Sequence, residues 1–346
     1  ASGGTREVAD GLRVCAPLML PPFGSPAARA INRRVLIPAV VRGVRRLGMR
    51  DPIVWTYLPT DAARDLIARL RSPSSIVVYS CVSDFAECAS DADALERSER
   101  ALLAECDLVF ALPGLVERCA RHSDRVLASA PAVNTELFDP SAQPPPPRAL
   151  RGLRGPVVGY VGGLQRNLDL VLLERLPRER PDWTWVFVGP AYVPVDGLAS
   201  LPNVRLLGPV AHGELPGAIA ACDVCIAPLL INAYTASMVP TKIGEYLAMG
   251  KPVVSTPIPY AQELALVSDG PVSVADPRPA QFLAALERAL VLARDELVVE
   301  RCRELARRQA WSRRIEEMSR AVAASAGWAQ AGAKQRDEPA QVVPAR

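Results

Sequence analysis

Lysine is nearly missing from this chain. Of its 40 basic residues only Lys242, Lys251 and Lys334 are lysines, so arginine supplies the other 37. Histidine is scarcer still, with His122 and His212 alone. Neither sits among the motifs of a Ser-His-Asp hydrolase, which speaks against triad chemistry. No uninterrupted apolar run reaches the roughly 18–20 residues that cross a bilayer. The polar start Ala1-Ser2-Gly3-Gly4, followed by Arg6 and Glu7, lacks the pattern of a signal peptide. A net charge of +3 is too small to argue for nucleic acid as the main partner. Eight cysteines in 346 residues do not suggest a disulfide scaffold, and the expected compartment is the reducing cytoplasm. Cys222 and Cys225 form a CxxC, but the spacing reads as one strand with its two thiols on opposite faces, about 10 Å apart.

What is present fits a soluble globular protein of two domains and a tail. Apolar residues make up 49% and charged residues 22%. The bias toward Arg, Ala and Pro points to a GC-rich bacterial coding background. Four consecutive prolines, Pro144 to Pro147, cannot join a helix or a sheet interior, so 141–149 reads as a stiff linker. It separates a first domain, 1–140, from a second, 150–325, with a disordered polar tail over 326–346.

Within both domains buried β-branched runs alternate with amphipathic stretches. In the first, 53–57, 75–79, 108–111 and 125–128 read as strands; 30–47, 62–71, 92–105 and 114–122 read as helices. In the second, strands are expected at 157–161, 185–188, 204–207, 224–227, 253–255 and 272–274. Helices are expected at 168–176, 214–221, 241–249, 279–293 and 297–324. That alternation implies an α/β protein with parallel sheets and crossover helices. Two such Rossmann-like units would face each other across a cleft.

The chemistry concentrates in Val239-Pro-Thr-Lys-Ile-Gly-Glu-Tyr-Leu-Ala-Met-Gly-Lys-Pro-Val-Val-Ser255. Pro240 suits a helix entry, and Thr241 either caps it or lies in its first turn. Lys242 and Glu245 are three apart and share one face at the helix start. Free amides and the positive dipole end attract phosphate there, a lysine adds charge, and a carboxylate can accept two vicinal hydroxyls. From spacing alone, an ordinary surface Lys–Glu pair is equally open. Asp91-Ala-Asp93 looks like a DxD metal motif but falls where a helix begins, and acidic residues cap helices. A dehydrogenase reading fails because no G-x-G-x-x-G follows a first strand with an acidic residue about 20 positions on.

The segment Pro240–Val254 resembles the donor-site signature of family 4-type glycosyltransferases of the GT-B fold. Val158-Gly-Tyr-Val-Gly-Gly163, Pro181–Gly189, Leu201–Gly208 with Glu214-Leu-Pro216, and Asp223–Pro228 resemble neighbouring parts of that domain in order and spacing. Trp55–Pro59, Val77–Phe85 and 99–110 resemble bacterial polysaccharide and teichuronic-acid-type transferases. The resemblance spans about residues 12–320. It implies that Glu245 holds the donor ribose and Lys242 faces the diphosphate, with Gly162 and Gly163 letting the backbone approach it. Arg166 would be a second cation, and Lys242 with Arg166 would offset charge on the leaving group. Thr241, Thr235 and His212 are further donor contacts. The implied reaction moves a sugar from a nucleotide-sugar to a glycan, lipid-linked or small-molecule acceptor, with retention, no cofactor and no bound metal.

Several positions depart from the family pattern. Ser237 stands where many members carry a first glutamate. Ser80 and Ser83 replace a histidine and an aspartate, leaving Asp84 and Ser80 as acceptor-side candidates; Ala132 replaces part of a strand-exit motif. No counterpart of the domain's first strand and helix precedes Leu12. These losses motivate a second reading, a non-catalytic scaffold that binds nucleotide-sugars. The Arg-rich stretches at 33–34, 42–46 and 307–314 are solvated helix faces or contacts to an anionic membrane surface, at the inner face of which the enzyme would then work.

Overall fold

The computed structural model describes residues 5–20, 25–49 and 51–331. These divide into two compact units, one made of the residues up to Ala130 together with those from Met318, the other of Pro131–Glu317. The change of unit thus falls before the proline-rich segment. Residues 141–149, read from sequence as a linker, lie inside the second unit, where Pro145 packs its carbonyl against Gly217.

The first unit opens with an antiparallel hairpin, β1 (Thr5–Ala9) and β2 (Leu12–Cys15), which forms its own two-stranded sheet. No expected element corresponds to this hairpin. Four parallel strands follow: β3 (Ile53–Thr56), β4 (Ile76–Cys81), β5 (Leu108–Ala111) and β6 (Val126–Ala128), side by side in chain order. β4 and β5 are buried along their whole length, as runs without polar alternation should be. The helix expected at 30–47 starts earlier, at Pro26, where Ser25 caps it, and passes through a π-helical turn at Asn32–Leu36 before continuing as Ile37–Arg46. Asn32 explains the irregularity: buried, it exchanges two hydrogen bonds with the Leu20 backbone, at 2.9 and 2.8 Å. Asp91 caps the helix Ala92–Glu105 by accepting from the Ala94 amide at 3.0 Å.

The second unit is one six-stranded parallel sheet. Its strands are β7 (Val157–Val161), β8 (Thr184–Val188), β9 (Val204–Gly208), β10 (Val224–Ala227), β11 (Val253–Ser255) and β12 (Val272–Val274). Their spatial order is β12-β11-β10-β7-β8-β9. The chain therefore runs outward from β7 on one side, then returns to β10 on the other. That reversal leaves a crevice at the carboxyl ends of β7 and β10, where open α/β sheets bind ligands. A single apolar core runs through the unit, with Trp185, Phe187, Tyr160 and Tyr246 among its fully buried side chains.

Two other expectations change. Cys222 lies ahead of β10, after the helix Leu215–Ala220, so the CxxC is not a strand pair. The two buried thiols meet, and burial first, then Cys222, pushes the Cys225 thiol well up. The helix expected at 297–324 is two helices, Glu296–Arg308 and Trp311–Ala331. The break comes where the backbone of Gln309 and Trp311 bonds to Val133 instead of continuing the helix. The second helix packs Val322 with Ile76, Val78, Leu108 and Phe110 of the first unit. It also carries helical structure through 326–331, which the sequence reading assigned to the tail; the rest of that tail lies outside the described residues.

Candidate functional site

The site follows from where the strand order reverses. β7 ends at Val161 and turns at Gly162, whose φ of 150° is left-handed territory that side chains avoid. A Cβ there would stand 2.8 Å from Lys242 Cε and 3.3 Å from the Tyr160 hydroxyl. Gly163 is nearly as tight, facing the Tyr192 ring at 3.0 Å. β10 leads through the loop 228–240 into the helix Thr241–Ala248, so the helix start and the glycine turn meet.

Pro240 is the N-cap, and no side chain caps this helix, leaving its first amides open to a ligand. Thr241 is exposed in the first turn. Lys242 is drawn back across the turn, with Nζ 5.1 Å from the centre of the Tyr160 ring. Burial lowers its pKa, and Glu245 opposes that shift. Burial raises the pKa of Glu245, with Lys242 and then His212 opposing. Both groups are thus partly desolvated opposite charges on one helix face. His212 is exposed at the start of a short turn, edge-on to Phe138 with ring centres 6.0 Å apart.

Three tyrosines that sequence reading passed over hold this arrangement. Tyr246 is fully buried and bonds both ways to Val161, accepting from its amide at 2.8 Å and donating to its carbonyl at 3.0 Å. The helix is therefore pinned to the last residue of β7. Tyr160 donates to the Gly163 carbonyl at 3.0 Å and supplies the ring beneath Lys242. Tyr192 stands exposed beside Gly163. An aromatic inside an apolar strand signals only core, which is why Tyr160 was not legible as a site residue.

Other expected residues lie elsewhere. Arg166 is exposed on the loop after Gly163. Thr235 is fully buried, and its hydroxyl donates to the Leu230 carbonyl at 2.6 Å while accepting from the Asn232 amide at 3.0 Å. It closes a capping box with Asn232, so its side chain shapes the loop and is not presented to a ligand. Ser237 ends that short helix and donates to the Tyr234 carbonyl.

In the first unit, Ser80 is 3% exposed and accepts from Trp55 Nε1 at 2.8 Å. The Trp55 ring stacks on Phe110 at 5.5 Å, giving Ser80 a packing role. Asp84 is ion-paired with Arg118 at 3.3 Å. Arg118 also pairs with Glu99 at 3.1 Å, and Glu99 accepts from the Tyr79 hydroxyl at 2.6 Å. Burial works against the Arg118 charge, but Glu99, Cys81 and Asp84 outweigh it and raise its pKa. Sequence gave no pointer to Arg118, which lies on a different helix. Among the described residues no three His, Cys, Asp or Glu side chains gather as a metal site, and no helix is long and apolar enough to cross a membrane.

Residues 155–291 match the family model "Glycosyl transferases group 1". The putative teichuronic acid biosynthesis glycosyltransferase TuaH of Bacillus subtilis is 34% identical over 184 residues, which is 52% of this chain and 46% of that protein. The chain thus spans about half the length of that curated relative. Among solved structures, sucrose-phosphate synthase from Thermosynechococcus elongatus superposes with a TM-score of 0.69 at 17% identity, covering 91% of this chain and 84% of the other. Anabaena Alr3699/HepE in complex with UDP and glucose gives 0.61 at 19% identity, covering 88% and 84%. The fold is GT-B, shared with these two structures.

Proposed function

We propose that the chain is a glycosyltransferase that moves a sugar from a nucleotide-sugar donor to a glycan, lipid-linked or small-molecule acceptor. The observation that carries this reading is the uncapped helix start at Thr241, with Lys242 and Glu245 on one face, set against the Gly162 turn. Glu245 accepts the ribose hydroxyls, and the open amides with Lys242 meet the diphosphate. Arg166, on the loop after Gly163, is assigned as a second cation for the same group, and His212 borders Glu245. Charge that builds on the leaving diphosphate is offset by Lys242, Arg166 and the helix dipole, so the reading needs no metal. Transfer with retention, a cytoplasmic setting and peripheral membrane contact belong to the same proposal. Exposed Ile31 and Val35 beside Arg33 and Arg34 support the membrane contact.

A second reading rests on the first unit. Ser80 supports Trp55, and Asp84 is neutralised by Arg118, so neither acceptor-side candidate stands ready as a base. A scaffold that binds nucleotide-sugars without transfer fits that arrangement.

Thermal shift with nucleoside diphosphates and their sugars, UDP and UDP-glucose first, tests the donor site. A ligand at 100 times its dissociation constant stabilises by about 2.7 kcal/mol. Nucleotide release on adding acceptors, undiminished by EDTA, supports metal-free transfer. Binding without release supports the scaffold, and no binding by any nucleotide overturns both.

A further inference from the structure

The second unit has another cavity, at the opposite end of its strands from the glycine turn. It measures about 740 Å³, within the usual range of small-molecule sites. Pro156 and Asp223 immediately precede β7 and β10, and Lys251 stands two residues before β11, so the cavity lies at the amino ends of these strands. The helix Thr241–Ala248 spans the two places: its first turn carries Lys242, and Met249 and Gly250 beyond its last turn form part of the cavity wall.

Cations dominate the charged lining. Lys251, Arg294 and Arg303 face Asp223, whose carboxylate already accepts the Val157 amide at 2.8 Å. Lys251 is one of three lysines in the chain, and donor chemistry gives it no task. It donates to the Ala220 carbonyl at 3.0 Å, and an ammonium has two further hydrogens to give. Arg303 pairs through Nη1 with Glu300 at 3.5 Å, and Glu300 is shared with Arg307. The Nε of Arg303 is buried against Gly250 without a hydrogen-bond partner, and Nη2 carries no ion pair among the described residues. Arg294 is exposed at the rim, with no ion pair among the described residues. Pro144, Pro145 and Pro146 complete the lining.

We propose that this cavity binds a small phosphate-bearing anion, held by Lys251 as a point charge and by the planar donor forks of Arg294 and Arg303. The site is independent of the donor-site reading. Calorimetric titration with sodium pyrophosphate at fixed ionic strength tests it, using Lys242→Ala as the reference to weaken the front site and reading the component of binding that changes at the rear cavity's own residues. Binding persists in that variant. Adding Arg294→Glu, an exposed change that leaves the fold intact by circular dichroism, weakens it about tenfold or more, the scale of one charge-assisted bond. Arg303→Met does the same. Absence of binding in Lys242→Ala overturns the proposal, as does binding indifferent to Arg294→Glu. Equal binding of sulfate reduces the site to a general anion patch and overturns the phosphate assignment. Loss of nucleotide binding in Lys242→Ala, with pyrophosphate still bound, bears on the donor site alone.

Discussion

At Glu245 burial and charge pull in opposite directions. Desolvation raises its pKa above the ordinary 4.5, against Lys242 and His212. Its contribution to stability is therefore complete below 4.5 and is lost as the pH climbs through the raised folded value. Lys242 is the mirror case. Folding disfavours its charged form, a cost present below its lowered pKa that disappears as the pH rises to 10.5. Burial penalises the charged form of each, yet the proposed nucleotide site uses both charges. In the nucleotide-free protein, melting temperature relative to Glu245→Gln should fall as the pH rises from 4.5; a difference that stays flat with pH would remove the assigned burial effect. At pH 7 the same variant should bind nucleotide about 10–100-fold more weakly, the range of a charged hydrogen bond. Lys242→Ala should lower turnover about 10²–10³-fold, more than it weakens binding, because the leaving group's charge peaks in the transition state. Equal losses in kcat/KM and affinity would instead make Lys242 a binding group only.

The helix Thr241–Ala248 works because its far side is fixed. Tyr246→Phe removes both bonds to Val161 and leaves a buried amide and carbonyl unpaired. Unfolding in urea should show a loss of about 1–3 kcal/mol, with nucleotide affinity reduced as the helix drifts from β7. Unchanged stability would mean that packing alone sets the helix. This element was legible in sequence, since Pro240 opens it, Gly250 ends it and continuous apolar strands flank it. The strands of both sheets were legible for the same reason: buried parallel strands carry unbroken β-branched runs. What escaped depended on distant partners. Thr235 reads as a polar loop residue until Asn232 and Leu230 engage its hydroxyl. Gln309 reads as one more helical position until Val133 diverts the backbone. The π-helical turn depends on Asn32 reaching Leu20, and the Asp84–Arg118 pair joins a loop to a helix some thirty residues later.

For the molecule as a whole, the chain leaves the first unit after Ala130 and returns to it at Met318. Val322 lies in the same buried cluster as Ile76, Val78, Leu108 and Phe110, with Met318 packed against it. A chain ending at Glu317 should therefore lose the first unit's cooperative melting while the second unit, whose core is its own, still melts as one transition. Retention of both transitions would show that the returning helix adds nothing to that core. The same threading sets an order in time. The strands β3 to β6 leave the ribosome before the second unit, but the helix that covers them is made only after that entire unit. At typical elongation rates that interval is roughly 10–40 s, during which Ile76, Val78, Leu108 and Phe110 have no native cover from that helix. The nascent first unit must wait, and over that interval its uncovered strand face is the natural target for a chaperone.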